Sequence, residues 1–294
     1  INMNKWFQAI RPKTLFASIG PVLLGLALAK VTQDQLHILL ALNTLLCAIL
    51  LQIASNLTND YYDAISGLDD EFRLGPQRVT QAGILSLPQM KKAMILIFSL
   101  VLLLGINLML SGGVVISIIG LSSILFAWAY TGGPLPLSRI ALGEVFAFIF
   151  FGPVAVWGTF YLQTNLHSNQ ALILGAGPGF LSAGLMAINN LRDRETDKKG
   201  GKLTLAIIFP KLISKSLPQL FIILSLLIPI YFITQGHTKF LIFTSIPHLF
   251  FIKTWIKLFV EQPSAKFNNY LATMGKCLFL YCLLFSIILV VLDK

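Results

Sequence analysis

Charged residues are scarce in this chain of 294 residues, where Asp, Glu, Lys and Arg together make up 12% of the sequence. Soluble domains usually carry about 25%. Hydrophobic residues account for 56% instead, and the mean hydropathy is +0.79. No polar linker divides the apolar stretches into separate units. This composition excludes a pair of soluble domains and predicts an all-α, polytopic membrane protein that forms a single domain over residues 1–294.

Cysteine, histidine and acidic residues are also few. The three cysteines lie in apolar segments without metal-ligand spacing, which is typical of packing residues. The four histidines share no spacing that indicates a metal site or a catalytic base. Acidic residues number 12 against 22 Lys and Arg, which gives a net charge of +10. In so apolar a chain, this excess indicates contact with the lipid bilayer and argues against a nucleic-acid partner.

Nine apolar segments have roughly the length that crosses a bilayer. The eighth is the weakest, because Pro247 interrupts it. We expect the first to be a retained span rather than a cleaved signal peptide, because spans of this length continue throughout the chain. The nine segments lie at about 14–31, 36–60, 93–111, 114–131, 141–163, 170–191, 215–234, 239–256 and 270–292.

Lys and Arg are distributed unevenly between the two ends of these segments. With the N-terminus in the cytoplasm, 19 of the 22 fall on the cytoplasmic side. This bias predicts a cytoplasmic N-terminus, an external C-terminus and nine spans. The longest polar links, 64–92 and 192–214, fall on the same side. We therefore expect a site that faces the cytoplasm, in a protein of the bacterial inner (plasma) membrane.

A polar motif occurs twice, four spans apart. It reads N-x3-D-x3-G over 59–67, at the end of the second span, and N-x3-D-x3-D over 189–197, at the end of the sixth. A spacing of four residues places such side chains on one face of a helix. Because the copies share one membrane polarity, they predict two pseudo-repeat halves, about 1–135 and 136–294, that face each other across a central cavity.

Clustered carboxylates repel one another unless a cation holds them. Asp and Asn oxygens suit Mg²⁺, which binds through one or two carboxylates together with phosphate oxygens. Two facing motifs therefore predict Mg²⁺ ions bridged by a diphosphate, with Arg and Lys neutralising the remaining charge. A single acidic cluster at a helix end is usually a solvated loop, but two copies with equal spacing argue against that interpretation. The pattern indicates a membrane enzyme that acts on a lipid diphosphate.

Seven stretches carry a family resemblance that spans nearly the whole chain. It resembles the UbiA superfamily of intramembrane prenyltransferases, and within it the branch (MenA) that prenylates 1,4-dihydroxy-2-naphthoate in menaquinone synthesis. The two Asp motifs are typical of the superfamily, and the GPQRVTQ and YTGGP stretches are typical of the branch. The stretches are RPKTL at 11–15, NLTNDYYD at 56–63, GPQRVTQAG at 75–83, YTGGPLPL at 130–137, LGE at 142–144, FFG at 150–152 and NNLRDRETDKKGGKLTL at 189–205.

The resemblance implies roles for individual residues. Four carboxylates are expected to bind Mg²⁺ and to be catalytic: Asp60, Asp63, Asp193 and Asp197. Tyr130 is expected to stabilise an allylic cation, although composition alone equally allows an interfacial aromatic. The expected substrate-binding residues are Lys13, Asn56, Asn59, Arg78, Arg139, Asn189 and Lys202. For Lys13 and its neighbour Arg11, the composition equally allows topology anchors.

One position departs from the superfamily motif. Many members carry a third Asp where this chain has Gly67, and Asp69 is a possible replacement, whereas Asp70 and Glu71 are expected only to solvate the loop. The ligand set of the first motif is therefore open beyond Asp60 and Asp63.

The expected reaction transfers a polyprenyl group from polyprenyl diphosphate to 1,4-dihydroxy-2-naphthoate, with loss of CO2 and diphosphate, giving demethylmenaquinone. Another acceptor is an alternative, such as 4-hydroxybenzoate, homogentisate or a sugar phosphate. A cation transporter is a remote alternative, because transport requires ionisable groups along a water path to both faces. Glu144 is the only acidic residue within the middle spans, and nearly all charge lies on one side.

Overall fold

The computed structural model describes residues 3–66, 74–75, 78–134 and 136–293, without the side chains of residues 3 and 4. The described residues contain no β-strand, which confirms the all-α prediction. Short 3₁₀ helices occupy Leu137–Arg139 and Lys239–Ser245. The α-helices are α1 (Met3–Ile10), α2 (Pro12–Gln33), α3 (Ile38–Ser66), α4 (Leu87–Ala129), α5 (Gly143–Phe150), α6 (Pro153–Thr164), α7 (Asn169–Arg192), α8 (Arg194–Lys199), α9 (Leu205–Ile208), α10 (Lys211–Thr234), α11 (Ile246–Phe250), α12 (Ile252–Val260) and α13 (Phe267–Leu292).

Seven segments of the described chain are long and apolar enough to cross a membrane: α2, α3, α4, the consecutive pair α5 and α6, α7, α10 and α13. An eighth consists of Lys239–Phe250 and α12, which are bent by 47° relative to each other. The bend falls in the segment that was predicted to be the weakest span. Pro247 lies in the first turn of α11, where its missing N–H is tolerated, and the residues before α11, Lys239–Ser245, form a 3₁₀ helix.

The 43 residues of α4 contain two of the nine predicted spans. At about 1.5 Å per residue, a straight helix of this length would measure about 65 Å, twice the hydrocarbon thickness. Gly113 interrupts it with φ 63° and ψ −151°. Across that break, the sulfur-bound methyl of Met109 lies 3.1 Å from the position of a Cβ on Gly120. Eleven residues of straight helix would separate them by about 16 Å, so the chain reverses at Gly113. Counting α4 as two spans gives the predicted nine.

Capping residues in the sequence explain where α4 and α7 begin. Ser86 and Gln89 form a capping box, in which the Gln89 side chain accepts from the Ser86 N–H at 2.9 Å. Ser168 caps α7 in a similar way, since its hydroxyl accepts from the N–H of Ala171 at 3.1 Å. These caps fix the residues at which α4 and α7 begin.

Glycines allow α6 and α7 to pack backbone against backbone. A Cβ placed on Gly175 would lie 2.6 Å from the Cα of Pro153, and one placed on Gly152 would lie 2.6 Å from the Cα of Gly179. A Cβ on Gly25 of α2 would likewise lie 2.6 Å from the carbonyl oxygen of Val156. Small residues at such crossings are typical of helix packing in membranes, where close van der Waals contact provides much of the attraction.

We expect Gly175→Ala to destabilise the bundle by about 1–3 kcal/mol, because the new methyl meets main-chain atoms that cannot move aside. Gly105→Ala is the matched control, since the nearest atom to its Cβ position is a flexible methionine methyl at 3.9 Å. Thermal unfolding in detergent should show a lower midpoint for Gly175→Ala only. Equal midpoints for the two variants would contradict the close crossing.

Candidate active site

A cavity of about 450 Å³ lies between α2, α3, α4, the α5–α6 pair and α7. Its apolar end is lined by Leu108, Ile116 and Leu162, which belong to one buried cluster near the break at Gly113. Its opposite end is polar and receives the side chains that end α3 and α7. The cavity therefore combines an apolar compartment with a charged one at the end where α3 and α7 terminate.

The first polar motif lies at the end of α3. Asp63 is buried and forms an ion pair with one terminal nitrogen of Arg78, while the other terminal nitrogen donates to the carbonyl oxygen of Asn59 at 2.6 Å. The hydroxyl of Thr131, just after α4, donates to the Asn59 side-chain oxygen at 2.7 Å. Because Arg78 contacts both members of the motif, it fixes the α3 end against the following loop.

The second motif has its own arginine at the end of α7. Arg192 is only 3% exposed, and its Nε donates to the Asp193 carboxylate at 2.8 Å. A terminal nitrogen of Arg192 donates to the Asn189 side-chain oxygen at 2.9 Å. The two halves therefore repeat a pattern in which one buried guanidinium contacts the Asn and the Asp of the same motif.

Asp197 reaches the cavity from the short helix α8. Gly201 has φ +69°, a conformation that glycine adopts without strain, and it reverses the chain so that the Lys202 N–H donates to the Asp197 carbonyl at 2.9 Å. The Lys202 ammonium then lies 3.1 Å from the Asp197 carboxylate. The Gly-Gly-Lys sequence after α8 thus returns a cation to the carboxylate that precedes it.

The carboxylates of the two motifs act on one another electrostatically. Burial raises the pKa of Asp197 above its ordinary value, Lys202 opposes that shift, and the charges of Asp193 and Asp63 raise the pKa further. Asp63 belongs to the other motif and lines the same cavity as Asp193 and Asp197, so the acidic groups of the two motifs lie at one polar end.

The donor atoms fit Mg²⁺ that is shared with a phosphate rather than enclosed by protein. Within the described residues, no group of three or more His, Cys, Asp or Glu side chains is arranged to hold a metal ion. Asp63, Asp193 and Asp197 are paired with cations instead. However, Mg²⁺ commonly takes only one or two carboxylates and completes its shell with phosphate oxygens and water. Carboxylate and amide oxygens on two sides of one cavity meet that requirement.

Residues 18–290 match the model of the UbiA prenyltransferase family. The chain belongs to the UbiA prenyltransferase family. It is 38% identical over 208 residues to 1,4-dihydroxy-2-naphthoate octaprenyltransferase of Escherichia coli (strain K12), covering 69% of this chain and 67% of that protein. The enzyme of the same name from Haemophilus influenzae (strain ATCC 51907 / DSM 11121 / KW20 / Rd) is 36% identical over 212 residues, covering 70% and 69%.

The fold of this UbiA family member is also similar to that of a solved structure. A UbiA homolog from Archaeoglobus fulgidus bound to DMAPP and Mg²⁺ superposes with a TM-score of 0.64, covering 98% of this chain and 99% of that one. The sequence identity is 16%, so this likeness shows the fold alone.

Most of the site residues predicted for this UbiA prenyltransferase line the cavity. Asn56 also lines the cavity, but its amide nitrogen is already hydrogen-bonded within the protein. It donates to the Ile10 carbonyl and to the Thr14 hydroxyl, both at 2.9 Å. The Tyr130 hydroxyl contacts the sulfur of Met186 at 3.1 Å. The predicted residues on the cavity wall are Asn56, Asn59, Asp63, Arg78, Tyr130, Asn189, Asp193, Asp197 and Lys202.

Asp60 lies apart from the other three predicted carboxylates. Its side chain is 1% exposed and accepts from the Thr80 hydroxyl at 2.7 Å, and the cavity wall does not include it. Asn59 and Asp63 are four residues apart and share a face, whereas Asp60 is rotated by about 100° from Asn59. Asp60 therefore contacts the loop after α3, and its role in binding Mg²⁺ stays a prediction.

Two predicted cations also lie elsewhere. Lys13 is exposed, and Arg11 takes a place on the cavity wall instead, at a left-handed backbone position with φ 54° that begins α2. Arg139 lines a smaller adjoining cavity of about 160 Å³ that also touches Asp63. Gly67, Asp69, Asp70 and Glu71 lie outside the described residues, so the completion of the first motif by Asp69 stays a prediction.

Several cavity residues were missed by sequence reasoning. Thr131 and Asn190 line the cavity, and Asn190 donates to the buried carboxylate of Glu144 at 2.9 Å. Arg192 is not among the predicted site residues, although it contacts both Asp193 and Asn189. Their positions in the sequence could have indicated Thr131 and Asn190, because each directly follows a predicted site residue, Tyr130 and Asn189. Thr204, at the end of the long second motif, also lines the cavity.

Proposed function

We propose that this UbiA prenyltransferase transfers a polyprenyl group from polyprenyl diphosphate to 1,4-dihydroxy-2-naphthoate. The reaction releases diphosphate and CO2 and gives demethylmenaquinone in its reduced, quinol form. The observation that carries the proposal is the pair of Asn-Asp motifs, each fixed by a buried arginine, at the polar end of one membrane cavity. The acceptor is supported by relatives that are 36–38% identical to this chain over about 210 residues and are named 1,4-dihydroxy-2-naphthoate octaprenyltransferases.

The polar end binds the diphosphate. Asp63 comes from one half of the bundle, and Asp193 and Asp197 come from the other. Mg²⁺ held by these carboxylates supplies charge neutralisation for the departing diphosphate. Arg78 and Lys202, which pair with Asp63 and Asp197, are placed to contact phosphate oxygens once Mg²⁺ occupies the carboxylates.

The cavity walls protect the prenyl group during transfer. When the bond between C1 and the diphosphate oxygen breaks, its electron pair leaves with diphosphate and C1 becomes an allylic cation. Aromatic side chains on the wall, Tyr130, Phe126 and Phe146, offer ring faces that stabilise such a cation. The apolar surroundings keep water from capturing it.

The acceptor ring then forms the new carbon–carbon bond to C1. The electrons of the new bond come from the ring. The bond from the ring to its carboxylate then breaks to release CO2, and the electron pair of that broken bond restores the aromatic system. The hydroxyl protons are returned to the quinol product, so no oxidant or covalent protein intermediate is needed. This part of the reaction requires only that the cavity hold the ring against C1.

The polar end faces the cytoplasm, and the protein belongs to the bacterial inner membrane. The positive-inside bias of the sequence supports this orientation, since Arg78 and Lys202 line the polar end of the cavity and Arg192 pairs with Asp193, which also lines it. The chain forms one catalytic domain whose halves, about 1–135 and 136–294, contribute one motif each.

The test is a transfer assay with the purified protein in detergent, all-trans octaprenyl diphosphate and Mg²⁺. Parallel reactions contain 1,4-dihydroxy-2-naphthoate, 4-hydroxybenzoate or homogentisate, and EDTA is added to a matched set. We expect octaprenyl transfer to the naphthoate, release of its carboxylate as CO2, and loss of transfer with EDTA. Transfer to 4-hydroxybenzoate but not to the naphthoate would refute the acceptor, and transfer in EDTA would refute the metal requirement.

A further inference from the structure

Among the described residues of the cavity wall, three side chains carry a buried oxygen that has no hydrogen-bond partner: Gln52, Ser182 and Thr204. Thr204 follows Lys202 by two residues and therefore lies beside the diphosphate end. The other two lie on α3 and α7, away from that end. Buried oxygens without a partner are uncommon in native proteins, and inside a ligand cavity they indicate groups that the ligand satisfies.

A chain of hydrogen bonds fixes the Gln52 amide. The Thr14 hydroxyl donates to the Arg11 carbonyl at 2.9 Å, so it accepts from the Asn56 amide nitrogen. The Asn56 oxygen must then face Gln52, whose Nε2 donates to it at 3.3 Å. The Gln52 Oε1 atom is left pointing away from this chain, where it can only accept. Its ligand must therefore offer a donor, such as a hydroxyl.

The Ser182 hydroxyl differs from other hydroxyls in the spans. Thr44, Thr58 and Thr159 each donate to a carbonyl of their own helix at 2.7–2.8 Å, four residues earlier. Ser182 makes no such bond, although its side chain is only 5% exposed. Its hydroxyl can donate or accept, so it is available to a second polar group of the same ligand.

The two oxygens occupy equivalent positions in the two halves. Gln52 precedes Asn59 by seven residues, and Ser182 precedes Asn189 by seven residues. Seven residues are nearly two helical turns, so each side chain shares the face of its motif and lies about 10 Å deeper in the cavity. That is the depth of an aromatic ring placed against C1 of a prenyl diphosphate, since reacting atoms approach to about 3–3.5 Å and the ring extends beyond them.

We propose that Gln52 and Ser182 form the acceptor subsite and bind the two ring hydroxyls of a para-dihydroxy aromatic acid, one from each half of the bundle. This inference rests on the proposed function and specifies its acceptor class. Gln52 accepts from one hydroxyl, and Ser182 hydrogen-bonds with the other. An acid with a single hydroxyl, such as 4-hydroxybenzoate, would turn its carboxylate toward one of these oxygens and would lose a hydrogen bond.

The test combines variants with acceptor analogues. Gln52→Met and Ser182→Ala remove one partner each, and 1-hydroxy-2-naphthoate and 4-hydroxy-2-naphthoate lack one hydroxyl each. KM is measured for 1,4-dihydroxy-2-naphthoate, and inhibition constants are measured for the analogues, with purified protein in detergent. We expect each variant to raise KM for the diol by about three- to tenfold. Each variant should leave unchanged the inhibition constant of the analogue that lacks the hydroxyl bound by the substituted residue. This analogue should differ between the two variants.

Thr44→Val is the matched control, because its hydroxyl also lies on the cavity wall but is already bonded to the Leu40 carbonyl. It should change none of the acceptor constants, and all three variants should keep the KM for octaprenyl diphosphate. Suppose that wild-type protein transfers to the diol. If both variants then weaken binding of the diol and of both analogues to the same extent, or do not weaken it at all, the subsite is refuted while the function stands. If wild-type protein transfers nothing to the diol, the proposed function is refuted together with the subsite.

Discussion

Asp63→Asn is expected to lower the rate of prenyl transfer by about a hundred- to a thousandfold, which is typical of losing one electrostatic contact to a developing charge. Asp60→Asn, three residues earlier, is expected to keep at least about a third of the wild-type rate, because changes away from the reacting atoms are usually small. Asp63 lines the cavity, whereas Asp60 accepts a hydrogen bond from Thr80 that an asparagine oxygen can also accept. Steady-state transfer assays at saturating Mg²⁺ measure both variants.

The contrast between these neighbours tests the orientation of α3. Both substitutions remove one negative charge from the same helix end, so a general effect of charge would reduce both rates alike. Equal losses, or a larger loss for Asp60→Asn, would show that the face carrying Asn59 and Asp63 is not the one that holds the diphosphate. The thermal midpoints of both variants in detergent should be compared, so that unfolding is not mistaken for lost catalysis.

The second large effect is expected at Arg78. Its side chain is 6% exposed and contacts both Asp63 and the Asn59 carbonyl. Arg78→Met removes one partner of a buried ion pair, which costs about 3–5 kcal/mol because the remaining charge is left uncompensated. It also removes a phosphate-binding cation, so transfer should fall strongly as well. Thermal unfolding in detergent and transfer assays measure the two effects separately.

A double variant separates the lost ion pair from lost packing. Asp63→Asn combined with Arg78→Met removes both charges, and we expect it to be more stable than Arg78→Met alone, since an uncompensated buried charge is no longer present. Neither variant should transfer prenyl groups at a useful rate. A double variant that is less stable than the single one would contradict the ion pair as the main contribution of Arg78 to stability.

Much of the fold was predictable because hydropathy reports directly on burial in lipid. The nine predicted segments correspond to the observed spans once α4 is divided at Gly113. The eighth segment differs, because it is bent by 47° between Phe250 and Ile252, which its hydropathy does not reveal. Helix ends depend on caps such as Ser86, which the apolar pattern alone does not reveal.

The site was predictable to the extent that it repeats. Asn59 and Asp63, together with Asn189 and Asp193, share a spacing of four, and all four line the cavity. The same periodicity does not decide the place of Asp60, because Asp60 is three residues before Asp63 and could share its face. The choice between Lys13 and Arg11 was not available from sequence, because it depends on a single left-handed backbone conformation at Arg11.

Contacts between distant segments were the least predictable part of the site. The Asn190–Glu144 hydrogen bond joins α7 to α5, and the chain from Arg11 through Asn56 to Gln52 joins the start of α2 to α3. No local pattern encodes such pairs, because each depends on how the helices cross. The same holds for the unpartnered oxygens of Gln52 and Ser182, which become visible only when every neighbour is in place.

The most direct measurement is equilibrium binding of a polyprenyl thiodiphosphate to the purified protein in the presence of Mg²⁺. In this analogue the bond between C1 and the leaving group breaks only slowly. It should be made with wild-type protein, Asp63→Asn and Asp193→Asn, one variant from each motif. We expect each substitution to weaken Mg²⁺-dependent binding by about ten- to a hundredfold, as is typical for a metal-binding contact, because one diphosphate is held from both halves. Wild-type affinity in either variant would contradict a site shared between the two motifs.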